Sequence, residues 1–273
     1  MLRYDDIAKA ITARHLATPL LDAMTTRPDE TAITAAARLR SHAFDQAPVM
    51  ADGQVAGWVL TTDLEASPAR TVRRVMRRLT PSSLVSADAP VRTVLEALVG
   101  SEMVFVVSGR HVDGFIVAAD INRHAARTHF YLLVADLELA LVALLRRWYA
   151  RPDALLGRIP SAARSQAIKR YERDRAWSTE IDQLAVLDFS DLLTIVGRSP
   201  KVRRLFLCRT EDDWQRRTRR MNRFRIAVMH PSAPFIGEWK IEDVLEMETR
   251  LREVLGPAWT GLRIQELPRR IST

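Results

Sequence analysis

Hydrophobic and polar positions follow one rhythm in the first half of the chain and another in the second. Residues Ala47 to Leu64 read APVMADGQVAGWVLTTDL, and residues Val104 to Ile121 read VFVVSGRHVDGFIVAADI. Each is a pair of short β-rich runs joined by a turn, Asp52-Gly53 in one and Ser108-Gly109 in the other, and each closes on an acidic residue that opens a helix. A shift of 57 positions lays Val49 on Val106, Gly57 on Gly114 and Asp63 on Asp120. Upstream of each lies a helical pattern, ETAITAAARLRSHAF after Asp29 and DAPVRTVLEALVG after Ser86. Two copies of a strand–helix–strand–strand–helix unit, about 15–66 and 67–127, follow from this repetition.

From Thr128 onward the β-rich runs stop and helical periodicity takes over. The pattern predicts a long helix over His129–Tyr149, a break at RPDALLGRIP, a second helix opened by Ser161 and a third over Asp188–Val196. A short fourth (SPKVRRLFL) precedes a long fifth that runs from Thr210 to His230, with Thr210 and Asp213 in capping-box spacing and Pro231 as its stop. A last helix, IEDVLEMETRLREVL, is expected to end at Gly256-Pro257. The fold class is therefore α+β: a repeat region over 1–127 followed by an all-helical bundle over 128–273.

Composition places the chain among globular proteins: 273 residues, 47% hydrophobic and 27% charged. The most apolar stretch, Tyr131–Leu145, is interrupted by Asp136 and Glu138 and is followed by Arg146-Arg147, which reads as a buried helix rather than a membrane span. MLRYDDIAKA has no apolar signal core, and the single cysteine, Cys208, cannot close an intramolecular disulfide; both point to a cytoplasmic setting. The six histidines have no ligand spacing, so no structural metal is expected.

Charge separates the halves again. Residues 1–128 hold 15 Lys/Arg and 14 Asp/Glu, net +1, whereas 129–273 hold 26 and 19, net +7. A polyanion such as RNA is the partner this surplus suggests, with Arg216, Arg220 and Arg223 on the surface that would meet it. In the first half, RTVRRVMRR puts Arg70, Arg73, Arg74, Arg77 and Arg78 at helical spacing, a basic stripe if the segment is one helix.

The repeat region resembles the cystathionine-β-synthase-type (CBS) domain pair. The resemblance rests on Asp22, Met24 and Thr25 at the start, Pro48 and Val49 in the first strand of the hairpin, and the Gly57–Asp63 and Gly114–Asp120 closing segments. It implies a pseudo-symmetric pair that dimerises and takes an adenosine nucleotide, AMP or ATP in type, as a regulatory ligand, with Asp63 and Asp120 on the ribose hydroxyls. The Ser/Thr that such pairs carry three residues earlier is Leu60 and Val117 here; Thr61 and Thr62 stand one and two places along, as candidate ligand donors. The plainer reading of both aspartates is helix N-capping.

The helical half resembles the HEPN superfamily through Arg225 and His230, an RxxxxH pair inside FRIAVMHP. That likeness implies a metal-independent endoribonuclease acting as a homodimer, with His230 moving the proton of a ribose 2′-hydroxyl and Arg225 steadying phosphate charge. Ile226 stands where such nucleases favour a polar residue. The alternative for His230 is a residue that ends a helix, favourably placed at its negative pole. Two functions remain open on these residues: a regulatory binding protein and a ligand-gated nuclease.

Overall fold

The structure is a computed structural model that describes residues 4–177, 181–230 and 232–263. Pro231, read as the stop of the fifth helix, lies outside them. The chain divides into two compact units. A repeat unit comprises Lys9–Arg127 with Ile236–Leu245, and a helical unit the described parts of Met1–Ala8, Thr128–Phe235 and Glu246–Thr273.

Short helices α1 (Tyr4–Ala8) and α2 (Ala13–Leu16) precede strand β1 (Thr18–Pro19). The first copy continues with helix α3 (Ala32–Ser41), strands β2 (Gln46–Ala51) and β3 (Gln54–Leu60) and helix α4 (Thr61–Glu65). The second runs through α5 (Val72–Val75), β4 (Arg77–Arg78), β5 (Leu84–Ser86), α6 (Val91–Gly100), β6 (Met103–Ser108) and β7 (His111–Val117), and closes on a 3-10 turn, Ala118–Asn122.

The same physics builds both copies. Helix α3 buries Ala32, Ala35, Ala36 and Leu39, and α6 buries Val91, Val94, Leu95 and Leu98, both at i, i+3, i+4, i+7. Each hairpin shifts register once, between Val49 and Met50 and between Val106 and Val107, the same place under the 57-residue shift. The leading strand of each copy then crosses to the other. β1 pairs with β7, Pro19 opposite Gly114, and β4 pairs with β3, Arg78 opposite Gly57. The sheets are β1-β7-β6-β5 and β2-β3-β4. Both glycines are required by the crossing: a Cβ on Gly114 would lie 2.5 Å from the Thr18 carbonyl oxygen, and one on Gly57 would collide with that of Arg77.

This exchange corrects the basic-stripe expectation. The segment from Arg70 to Arg78 is a single helical turn followed by a strand. Met76 is extended (φ −58°, ψ 143°), because the chain must pair with β3, and strand pairing outweighs the propensity of five arginines. Arg73 and Arg74 are exposed on the turn and Arg77 is half-buried on the strand. The helix expected after Asp120 is likewise only a 3-10 turn.

In the helical unit, α7 (His124–Trp148) starts five residues before the expected helix and has 25 residues. By length and composition it could cross a membrane (mean hydropathy 1.7), but 67% of its most apolar window is buried inside the protein, the burial of a core helix. Helix α8 (Ser161–Arg175) buries only Ala167 and lies on the surface; its Arg170 forks onto Asp188. Helices α9 (Phe189–Gly197) and α10 (Pro200–Arg203) follow.

The fifth expected helix is two. Helix α11 (Glu211–Thr218), opened by the Thr210/Asp213 capping box, is separated from α12 (Met221–Met229) by Arg220 in the left-handed region (φ 69°). The two ends of the segment pack on different partners, which one straight helix would not serve. The Trp214 indole donates to the Leu193 carbonyl and lies 4.8 Å from the Phe206 ring. Phe224 packs edge-on to Phe130 and Phe235, at 5.5 and 6.3 Å between centroids.

The last helix, α13 (Ile241–Arg263), passes through Gly256 and Pro257, where an end was expected. Proline removes one backbone donor. The turn beyond it is held by tertiary structure: Ala258 is buried, Trp259 donates to Asp136, and Gly261 leaves room for Leu205 and Leu144.

Candidate functional site

The closing segment of the first copy ends at Leu60, and α4 begins at once. Thr61 is fully buried. Its N–H donates to the Asp45 carbonyl (2.8 Å) and its hydroxyl to the Phe44 carbonyl (2.9 Å). It fastens the loop before β2, and both of its donors are engaged there. Thr62 is exposed and Asp63 is half-buried beside it.

Asp63 meets Arg77. The guanidinium Nε donates to Asp63 Oδ2 at 3.0 Å, and Nη1 reaches both carboxylate oxygens of Glu102 at 3.1 Å. The same group stands 4.9 Å from the centroid of Trp58, its partner in the β3–β4 pairing. Arg77 thus ties an acid of the first copy to an acid of the second. Two sequence candidates from different motifs, Asp63 and Arg77, are brought together here; Glu102 and Trp58 were not singled out. Glu102 was discoverable, because the 57-residue shift lays it on Asp45, another acid.

Asp120 occupies the matching position in the second copy and is arranged differently. It is buried; its Oδ2 accepts the Val117 N–H at 2.8 Å and its Oδ1 is 2.8 Å from Arg123. Burial pushes its carboxyl above the ordinary value, opposed by the Val117 N–H and Arg123. Arg123 also donates to the Thr18 hydroxyl and the Leu16 carbonyl. Asp120 therefore acts as the cap of its own turn. Leu60 and Val117 pack against a cluster of Trp58, Met103 and Phe105, so these positions are apolar to complete a core.

In the helical unit, Arg225 Nε lies 3.3 Å from Glu138 Oε1, both half-buried. Burial raises the Glu138 carboxyl, and Arg225 counters it. His230 is exposed and stands just past the end of α12. His230 has left helical geometry (φ −100°, ψ 87°). Arg216 pairs with Asp213 at 2.6 Å, Arg220 forms the break between α11 and α12, and Arg223 is exposed.

A buried polar cluster also escaped the sequence reading. His129 Nε2 is 3.2 Å from Glu248 Oε1, and Arg252 Nη2 is 3.1 Å from the same oxygen. Burial alone would raise the Glu248 carboxyl; the His129 and Arg252 partners more than reverse this, and it titrates below the ordinary glutamate value. Its one signal in the sequence is the i, i+4 spacing of Glu248 and Arg252.

No family model and no curated protein matches the chain. Solved structures match part of it. The CBS domain of a bacterial CNNM/CorC family Mg2+ transporter, in complex with ATP, is 16% identical over 46% of this chain and 93% of that one, with a TM-score of 0.39. The CBS domains of a transcriptional regulator from Streptococcus pneumoniae are 25% identical over 40% and 95%, TM-score 0.36. CbpB in complex with c-di-AMP is 15% identical over 46% and 92%, TM-score 0.39. The solved structures that resemble this chain are CBS-domain structures, and the likeness extends over less than half of its length.

Proposed function

We propose that this protein is a CBS-type sensor of an adenosine nucleotide, read out through a basic helical unit. The observation that carries the reading is the exchange of leading strands, β1 onto β7 and β4 onto β3, at the paired glycines Gly114 and Gly57. It makes two copies into one pseudo-symmetric body, as the CBS resemblance implies, with Asp63 half-buried at one closing segment. Two of the similar solved structures hold ATP or c-di-AMP.

The helical unit, HEPN-like in the sequence resemblance, carries most of the positive charge and is the surface for a polyanion, RNA in this proposal. We propose a homodimer, as both resemblances imply. Strand cleavage has weaker support, since Arg225 is engaged by Glu138.

Calorimetric titration of the full chain with AMP, ATP and c-di-AMP tests the sensor. Saturable binding to any of them that Asp63→Asn abolishes supports it; heats of dilution alone for all three reject it. Filter binding of RNA, with and without the nucleotide that binds, tests the readout. Light scattering tests the dimer.

A further inference from the structure

We propose that Arg77 is the latch and the selectivity residue of the Asp63 site: it holds the carboxylate in the unliganded protein, and on binding it transfers to the phosphate of the nucleotide. This rests on the nucleotide-sensing reading above and adds which ligands the site accepts.

Asp63, Glu102 and Arg77 together carry a net charge of −1, so an anionic ligand is repelled by the closed arrangement. A ribose diol can replace Arg77 on Asp63 as a hydrogen-bond donor, which frees the guanidinium. The freed group stays beside the site, because its backbone is fixed in β4 and its face is against Trp58. A guanidinium held there is a fork for phosphate oxygens. Of its two acids, Glu102 is the more exposed, 55% against 35% for Asp63, so it is the partner that water most readily replaces. A nucleoside without phosphate displaces Arg77 and gives it nothing in return. The site therefore favours nucleotides over adenosine.

The second copy lacks this device. Thr18, opposite Phe115, takes the position that Arg77 holds opposite Trp58, and Asp120 is buried against the Val117 N–H. One ligand per chain is the consequence.

The test is titration of the full chain with adenosine, AMP and ATP, using wild type, Arg77→Ala, Arg77→Lys and Glu102→Gln, with Arg78→Ala as a control and a melting curve for each. Wild type is expected to bind one AMP or ATP per chain, at least about tenfold more tightly than adenosine. Glu102→Gln should tighten AMP several-fold by removing a competing acid. Arg77→Ala should bind AMP and adenosine alike, and Arg77→Lys, which keeps the charge if the alanine variant does not fold, should retain a reduced preference. An unchanged AMP-to-adenosine ratio in Arg77→Ala, or two ligands per chain, overturns the latch while leaving the sensor intact. No binding by any variant, Arg77→Ala included, overturns both. Binding by Arg77→Ala alone, with none by wild type, overturns the transfer of Arg77 to the phosphate.

Discussion

The two copies of the repeat unit have the same strand register, the same irregularity in the hairpin and the same buried helix face, yet their acidic ends serve different purposes. Asp63 is half-exposed and paired with a cation from the other copy. Asp120 is buried and bonded to its own turn. The lesson is that repetition preserves what the core needs and releases what it does not. Gly57 and Gly114 are alike because a backbone oxygen fills the space in both. The position opposite the closing segment is Arg77 in one and Thr18 in the other, because that side chain is free to diverge.

The strongest way to break this equivalence is at the glycines. Gly57→Val places a side chain on the Arg77 carbonyl, and Gly114→Val does so on that of Thr18. Each should cost about 3 kcal/mol, measured by urea unfolding, and a large difference between them would show the copies are not equivalent in their cores. The aspartates come next and should differ. Asp120→Ala leaves the Val117 N–H without its acceptor and should cost about 1–2 kcal/mol. Asp63→Ala removes a partly exposed ion pair, and the loss should stay below about 1 kcal/mol. Equal losses would contradict the assignment of one aspartate to structure and the other to a ligand.

The smallest effect is in pH. Because the Asp120 carboxyl titrates above the ordinary value of 3.8, the folded chain binds its proton more tightly than the unfolded chain. Such a group subtracts stability as pH rises through that interval. Asp120→Asn should therefore gain on wild type as pH rises above the ordinary aspartate value, read from urea midpoints. A constant gap would mean that Val117 and Arg123 offset the burial.

Much of the repeat unit was legible from the chain. The alternation in Ala47–Leu64 and Val104–Ile121 is local, and so is the helical spacing of Ala32, Ala35, Ala36 and Leu39. The candidate site was half legible. Asp63 and Arg77 were each visible, but as members of unrelated motifs, and the basic stripe containing Arg77 was expected on a helix. Only the pairing of β4 with β3 turns it toward Asp63.

The sequence by itself determined the elements whose causes lie within a turn or two of chain: the repeated hairpins, the amphipathic helices, the capping box at Thr210. Tertiary structure decided three things that local rules contradict. Arg77–Arg78 became a strand, the helix broke at Arg220, and α13 continued through Gly256-Pro257. In each case a local preference of about 1–3 kcal/mol is set against contacts with residues distant in the chain, and burial and strand pairing summed over several residues exceed it.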